Sequence, residues 1–186
     1  MSKAVLISIR PEWCEKIING RKTIEVRKTR PKMDTPFKCY IYRSVQGGVI
    51  GEFVCDDIFE RIVRVGAICE PPKYCICDWN MDCTPLDTLL ADACLTKDEL
   101  EKYLDGGVGY GWHISGLKIY NTPKELSEFS PVCRYKNDDK SCPSRRVACS
   151  YQKYDCNPDG SINLVECGRT IERPPQSWCY VDDANA

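Results

Sequence analysis

The sequence predicts an α+β fold, a small mixed or antiparallel β-barrel with short flanking helices. Three observations predict it: a strand, helix, strand order over residues 4–28, two segments rich in branched and aromatic residues at 37–43 and 49–65, and a helix with a capping-box pattern after residue 95. A length of 186 residues is typical of one domain, so we expect residues 1–186 to form a single domain.

The first strand and helix follow from the local pattern. The segment "AVLISIR" alternates between more and less apolar positions, which is typical of a strand with one more apolar face. Pro11 favours a helix start because a residue in the first turn needs no partner for its N–H, and Gly20 favours a left-handed helix cap. We therefore expect a helix over residues 11–19.

The segment "TIEVRK" returns to a period of two and is predicted to be a strand. Thr23, Glu25 and Arg27 then share one face, with Ile24 and Val26 on the other. An arginine beside a carboxylate favours the ionised carboxylate and is itself held in a fixed orientation. The predicted strand thus carries one acid–base pair on its polar face.

The remaining elements are predicted more coarsely. Strands over 37–43 and 49–65 are joined by "QGG" in a hairpin, a helix is expected within 84–94, and another begins at the capping box formed by Thr96 and Glu99. "WHISGLKIY" and "QSWCYV" are further strand candidates, and "TPKELSEF" favours a short helical turn. We expect loop-rich, cysteine-containing insertions at about 66–94 and 131–167.

Positive charge is concentrated in "NGRKTIEVRKTRPK", residues 19–32. Six cations surround the single acid Glu25, although the whole chain has a formal net charge of -1. A local excess of positive charge in a mildly acidic protein suits a polyanionic ligand. The alternative is a solvated, charged edge strand that discourages aggregation.

Composition limits the class of protein. No run approaches the roughly 20 apolar residues of a membrane span, and the start does not have the pattern of a secretory signal, so we expect a cytoplasmic protein that does not enter membranes. The fourteen cysteines are then expected to be thiols. We expect no cofactor, with a structural zinc as the alternative. The weakly spaced ligand candidates are Cys133, Cys142, Cys149 and Cys156.

The opening of the chain resembles the ASCH family, a branch of the PUA-like superfamily with phage and bacterial members. The family signature Gly-x-Lys-x-x-Glu-x-Arg is present as Gly20, Lys22, Glu25 and Arg27. "GYGWHIS", "PKELSEF" and "RPPQSWCYV" are also similar to ASCH segments. The resemblance implies a PUA-like β-barrel with a cleft that faces RNA or a modified nucleotide, and it covers roughly residues 4–65, 95–130 and 171–181.

Our leading hypothesis is a binding protein for RNA or a modified nucleotide. Lys22 and Arg27 would contact phosphate or a base edge, Glu25 would accept a hydrogen bond from an exocyclic amine, and Trp112 or Tyr110 would stack on a base. For Trp112, packing in the core is the competing interpretation. The expected binding residues are Arg10, Gly20, Lys22, Glu25, Arg27 and Trp112.

The first alternative is an amidohydrolase acting on an acylated nucleoside such as acetylcytidine. Its lysine and arginine correspond by resemblance to Lys22 and Arg27, but Glu25 stands where that branch has a threonine nucleophile, which leaves Thr23 as a substitute. Lys22, Thr23 and Glu25 would then be catalytic, and Glu99 and Glu101 are regional candidates for the branch's glutamate. A second alternative is a zinc-stapled protein-interaction module. We favour binding over catalysis; the oligomeric state has no sequence signal.

Overall fold

The computed structural model describes residues 3–65, 73–77, 83–84, 86–132, 152–156, 162–167 and 170–183. The strands within these residues are β1 (Lys3–Ile9), β2 (Ile24–Arg27), β3 (Phe37–Arg43), β4 (Val49–Cys55), β5 (Ile58–Val65), β6 (Lys73–Cys77), β7 (Cys83–Thr84), β8 (Gly109–His113), β9 (Ser115–Lys124), β10 (Gln152–Cys156), β11 (Ile162–Cys167) and β12 (Trp178–Asp182). The helices are α1 (Pro11–Ile18), α2 (Asp87–Ala93), α3 (Lys97–Leu104) and a short 3-10 helix (Leu126–Glu128).

The strands form two five-stranded sheets and a separate hairpin. One sheet has the order β12-β1-β3-β4-β9, the other the order β2-β8-β5-β6-β7, and β10 pairs with β11. Strands β1 and β3 run parallel and all other described pairs are antiparallel, so the first sheet is mixed. The predicted α+β class is confirmed.

The predicted closed barrel is not formed by the described strands. The chain passes from one sheet to the other between β4 and β5, at Asp56 and Asp57, and between β8 and β9, at Ile114. Closure of a barrel requires a continuous ladder of hydrogen bonds. Among the described residues no ladder joins an edge of one sheet to an edge of the other.

The two sheets and the helices enclose apolar cores. One cluster combines inward residues of β1 and β3 with Ile58 and Trp112 from the other sheet, and it also receives Cys14 and Ile17 of α1. A second cluster packs Ile24 and Val26 of β2 against α2 and α3. Burial of the apolar face of β2 against α2 and α3 therefore contributes to fixing the position of that short strand.

The opening elements lie where the sequence predicts them. Pro11 is the first residue of α1, and Gly20 has a φ of +71°, a conformation that a side chain disfavours. At α3, the Thr96 hydroxyl accepts from the Glu99 backbone while the Glu99 carboxylate accepts from the Thr96 backbone. This capping box confirms the predicted helix start.

Two predictions about the insertions are wrong in part. Residues 73–77, expected to be loop, form β6 along the edge of β5, and residues 152–156 and 162–167 form the β10–β11 hairpin. These segments lack a clear alternation of apolar and polar residues, so their sequence does not predict strands. Each is a strand because it hydrogen-bonds to a neighbouring strand. None of the helices in the described part of the chain is long and apolar enough to cross a membrane.

Candidate functional site

Three residues of the charged segment meet in one buried cluster. The Lys22 Nζ lies 3.3 Å from the Glu25 Oε2, and the Arg27 Nη2 lies 2.9 Å from the Glu25 Oε1. Lys22, Glu25 and Arg27 are only 3%, 7% and 8% exposed. The single acid of the basic segment therefore pairs with two cations, and this charge cluster carries a net charge of +1 when all three groups are ionised.

The turn after α1 aims these side chains. The backbone N–H groups of Arg21 and Lys22 both donate to the carbonyl of Lys16, which closes the end of the helix. The next N–H, that of Thr23, donates to the carbonyl of Asp92 in α2. Strand alternation beyond this point sends Glu25 to the face opposite the apolar side chains of β2.

Lys22 is held from the other side by the end of α2. Its Nζ donates to the carbonyl oxygen of Ala93 at 2.8 Å and lies 5.1 Å from the centroid of the Trp13 ring. The carbonyls at the end of a helix lack intrahelical partners and attract cations. A second ammonium, that of Lys16, lies 4.2 Å from the same ring centroid. Trp13 thus faces two cations at the edge of the charge cluster.

Arg27 joins three parts of the chain that are distant in sequence. Its Nη2 donates to the Ser8 carbonyl at 2.6 Å, and its Nη1 donates to the Ser177 Oγ at 3.3 Å. The Ser8 hydroxyl in turn donates to the Pro175 carbonyl. The guanidinium is therefore fixed by β1, by the segment that precedes β12, and by Glu25, and its buried Nε has no hydrogen-bond partner.

Two neighbouring groups are kept neutral by their surroundings. Burial, with the nearby Glu25 carboxylate adding to it, raises the pKa of the Cys14 thiol to about 12. A buried thiol of this kind is not a nucleophile at neutral pH. Burial also raises the pKa of the Tyr103 hydroxyl, against the opposing effect of Arg27. The Cys14 thiol and the Tyr103 hydroxyl are therefore uncharged at neutral pH.

Exposed cations flank the charge cluster. Arg10 precedes α1, Arg21 follows it, and Lys28 follows β2; all three are exposed, as is Lys32. These four residues are called the rim cations: Arg21, Lys28 and Lys32 belong to the charged segment 19–32, and Arg10 is the N-cap of α1. Exposed cations near a buried, ion-paired cluster favour an anionic ligand, one group of which contacts the cluster.

Trp112 is a core residue in this structure. Its side chain is fully buried and its ring contacts Phe37 and Trp178 edge to face, with centroids 5.9 Å apart in each case. A ring covered in this way offers no free face to a base. Trp112 therefore packs in the core, as the competing interpretation of the sequence predicted. Tyr110, the other stacking candidate, is half-buried and lies opposite Arg27 in the β2–β8 ladder.

The other candidates have different contacts from those of the charge cluster. Glu99 is part of the α3 capping box, and Glu101 pairs with Lys97 on the exposed face of that helix. Gly20 has open space where a Cβ would lie and contributes its backbone conformation. Thr23 is half-buried; its backbone N–H donates to the Asp92 carbonyl and its carbonyl accepts from the Ile114 N–H.

The metal candidates fall outside what the structure describes. Cys133, Cys142 and Cys149 lie outside the described residues, and Cys156 is described only as a position in β10. Within the described residues there is no group of three or more His, Cys, Asp or Glu side chains that would hold a metal ion. Five cysteines are free thiols, namely Cys14, Cys39, Cys55, Cys94 and Cys179.

Sequence reasoning missed part of the site. The carbonyl oxygens of Ala93 and Ser8 bind the two cations, and a backbone acceptor has no sequence signal. Tyr103 also lies close enough to Glu25 and Arg27 for their charges to act on its hydroxyl. The sequence does predict that Tyr103 lies near the end of a capped amphipathic helix. It does not indicate which residues of β2 the end of that helix contacts.

Comparison with known proteins agrees with the signature. The ASCH domain family matches residues 7–76. No curated protein matches the chain. The solved structure of a serine-to-alanine mutant of ZmASCH from Zymomonas mobilis is similar, with 15% identity, coverage of 97% of this chain and 89% of that chain, and a TM-score of 0.54. Another structure of ASCH from Zymomonas mobilis has 15% identity, coverage of 98% and 90%, and a TM-score of 0.50.

Similarity at this level of identity supports the fold alone. The ASCH family is generally associated with RNA binding. The four signature residues Gly20, Lys22, Glu25 and Arg27 all fall within the matched segment. Residues 7–76 therefore match the ASCH domain family, and the resemblance of the opening segment to that family is confirmed.

Proposed function

We propose that this protein binds RNA or a modified nucleotide at the charge cluster and its rim. The observation that carries the proposal is the ion-paired cluster of Lys22, Glu25 and Arg27, which is buried beneath exposed cations. A solvated edge strand needs no such burial. Charges removed from water cost free energy unless they are paired, so a cluster of this kind is retained for structure, specificity or recognition.

The burial assigns different tasks to the two groups of cations. Arg21 and Lys28 are exposed and free to approach phosphates, whereas Lys22 is almost fully enclosed and already donates to Ala93. The rim cations therefore supply the salt-dependent attraction, and the cluster supplies selection. This division refines the expectation that Lys22 and Arg27 both contact phosphate.

Glu25 is the group best suited to selection. Both its oxygens face cations, so it is held as a carboxylate acceptor in one orientation. Arg27 acts as a positioning residue, because its described hydrogen bonds go to Glu25, Ser8 and Ser177. An exocyclic amine of a base that reaches Glu25 would find an ionised acceptor in a site with little water, where such a hydrogen bond is strong.

The amidohydrolase alternative has less support. A lysine acts as a base only through a free lone pair. The Lys22 Nζ instead makes the contacts of an ammonium, to Glu25 and to the Ala93 carbonyl. The Cys14 thiol is neutral, and none of the described contacts joins the Thr23 side chain to Lys22. We therefore propose binding, and we use hydrolysis of acetylcytidine as an assay that would detect the alternative activity.

The decisive experiment measures RNA affinity as a function of salt. Binding of a fluorescent single-stranded RNA is followed by anisotropy for the wild type and for Arg21→Ala and Lys28→Ala. Each variant should weaken binding and reduce the slope of log K against log salt by about 0.7, the value for one phosphate contact on a single strand. The matched control is Lys118→Ala, an exposed lysine on β9 at the edge of the other sheet.

The same assay tests the role of Glu25. Glu25→Gln should change the relative affinities for cytidine-rich, adenosine-rich and uridine-rich RNA while leaving the salt slope unchanged, measured where the variant remains folded by circular dichroism. The proposal is wrong if the wild type does not bind at low salt, or if both rim variants bind with an unchanged slope. Turnover of acetylcytidine by the wild type, lost in Lys22→Met, would replace binding by catalysis.

A further inference from the structure

Tyr103 is an exposed aromatic residue close to the charge cluster. It is 40% exposed, whereas the other Phe, Tyr and Trp residues whose exposure the structure describes are buried or half-buried. Tyrosine carries a large apolar ring, and exposure of that ring to water gives no stability. A single exposed aromatic beside a charge cluster therefore calls for a physical explanation.

The Tyr103 ring lies near the end of β2, close to Lys28. The Lys28 Nζ lies 5.4 Å from the centroid of the ring, and the Lys28 backbone acts on the Tyr103 hydroxyl, opposing the rise in its pKa that burial causes. Its helix, α3, is anchored by the fully buried side chains of Leu100 and Leu104 and by its capping box. The packed helix therefore positions the Tyr103 ring beside Lys28 in the free protein, which lowers the entropy lost on binding.

The position of the ring links it to the proposed site. The charges of Arg27 and Glu25 both act on the Tyr103 hydroxyl, so the ring lies beside the charge cluster. Lys28 is one of the exposed rim cations. A flat, partly exposed ring next to an exposed ammonium is the combination that binds single-stranded nucleic acid, because a base stacks on the ring and its phosphate pairs with the cation.

We propose that Tyr103 is a stacking platform for one base of a single-stranded RNA, whose adjoining phosphate contacts Lys28. This inference rests on the proposed function and specifies its ligand as an unpaired strand, because a base within a duplex has no free face to present. It also replaces the buried Trp112 as the aromatic member of the site.

The test uses two RNA probes of about 12 nucleotides, within the range bound by single-stranded RNA-binding modules. One is an unstructured uridine oligonucleotide, and the other has the same sugar-phosphate backbone without bases. Tyr103→Leu keeps an apolar side chain but removes the ring, and Tyr103→Phe keeps the ring but removes the hydroxyl. Thermal unfolding of each variant confirms that α3 remains packed.

Stacking predicts a specific pattern. Tyr103→Leu should weaken binding of the uridine oligonucleotide by roughly 5- to 140-fold, the range expected for one stacked base, while Tyr103→Phe stays within about threefold of the wild type. Neither variant should change the affinity for the abasic probe, and neither should change the salt slope. Lys28→Ala, in contrast, should weaken the binding of both probes.

The outcomes separate this inference from the proposed function. If the wild type binds and Lys28→Ala weakens binding, but Tyr103→Leu binds the uridine probe as the wild type does, the stacking role alone is wrong. Equal weakening of both probes by Tyr103→Leu would also overturn it, because the ring would then act through the backbone or through the fold. If the wild type binds neither probe at low salt, the proposed function itself fails.

Discussion

Replacement of Glu25 by glutamine tests whether the charge cluster is the buried network that the geometry describes. The substitution keeps the shape of the side chain and removes its negative charge. Lys22 and Arg27 then remain, 3% and 8% exposed, without the carboxylate that now lies 3.3 Å and 2.9 Å from their nitrogens. Two like charges in a buried site without a counter-charge are expected to destabilise the fold.

The magnitude follows from the distances and the burial. With an effective dielectric constant of about 20, each ion pair contributes roughly 5 kcal/mol of Coulomb attraction, much of which offsets the cost of removing the charges from water. Removal of one partner from a buried pair costs about 3–5 kcal/mol. For a chain of this length, that corresponds to a fall in Tm of roughly 6–20 °C.

The assay is urea unfolding followed by circular dichroism, with the free energy of unfolding taken from the midpoint and slope. Addition of Lys22→Met to the Glu25→Gln variant should recover part of the lost stability, because one of the uncompensated charges is removed. The control is Glu101→Gln, which breaks an exposed pair with Lys97 whose side chains are 37% and 51% exposed. That control should cost less than about 1 kcal/mol.

The result that would refute the reasoning is a small effect. A loss below about 1 kcal/mol for Glu25→Gln, equal to that of the exposed control, would mean that water reaches all three charges. The segment "NGRKTIEVRKTRPK" would then be a solvated strand edge, which is the competing interpretation of its charge pattern. Failure of Lys22→Met to recover stability would separately contradict the pairing of Lys22 with Glu25.

Three further predictions concern the frame around the site. Thr96→Ala should lower the free energy of unfolding by about 1 kcal/mol by removing the α3 cap, whereas Glu99→Gln should keep most of it; equal losses in urea unfolding would contradict the capping box. A hydrogen bond from His113 lowers the pKa of Asp56 below its ordinary value of 3.8, so the pair stabilises the fold above that pH and the contribution is lost as pH falls through the lower, folded-state pKa. The stability of the wild type should therefore approach that of Asp56→Asn in an acid titration below about pH 4, and a difference that stays constant would contradict this. Gly51→Ala should destabilise by about 1–3 kcal/mol, because the new Cβ would lie 2.5 Å from the Lys118 carbonyl oxygen, and an unchanged Tm would refute that contact.

Periodicity and end signals predicted the elements that carry the site. Alternation in "TIEVRK" correctly placed Glu25 and Arg27 on the face opposite Ile24 and Val26, because the pleat of a strand sets that alternation locally. The cap at Gly20 was also predictable, since it depends on the backbone freedom of one residue. Neither signal needs knowledge of the rest of the chain.

Predictions that depend on pairing between distant parts of the chain were less accurate. Residues 73–77 form a strand because β5 offers them an edge, and 66–83 has no apolar alternation from which that pairing follows. Closure into a barrel was expected from the strand content, but closure depends on whether distant edges meet. The described strands instead change sheet at Asp56 and Ile114.

The sequence by itself determined which residues form the charge cluster, because Gly20, Lys22, Glu25 and Arg27 carry the ASCH signature and strand geometry aligns two of them on one face. Only the tertiary structure decided that the cluster is buried, since the atoms that enclose it come from Ala93 and Ser177, which are 71 and 150 residues away from the side chains they hold. The physical reason is that side-chain alternation is a local property of the backbone, whereas exclusion of water depends on every element that packs against the site.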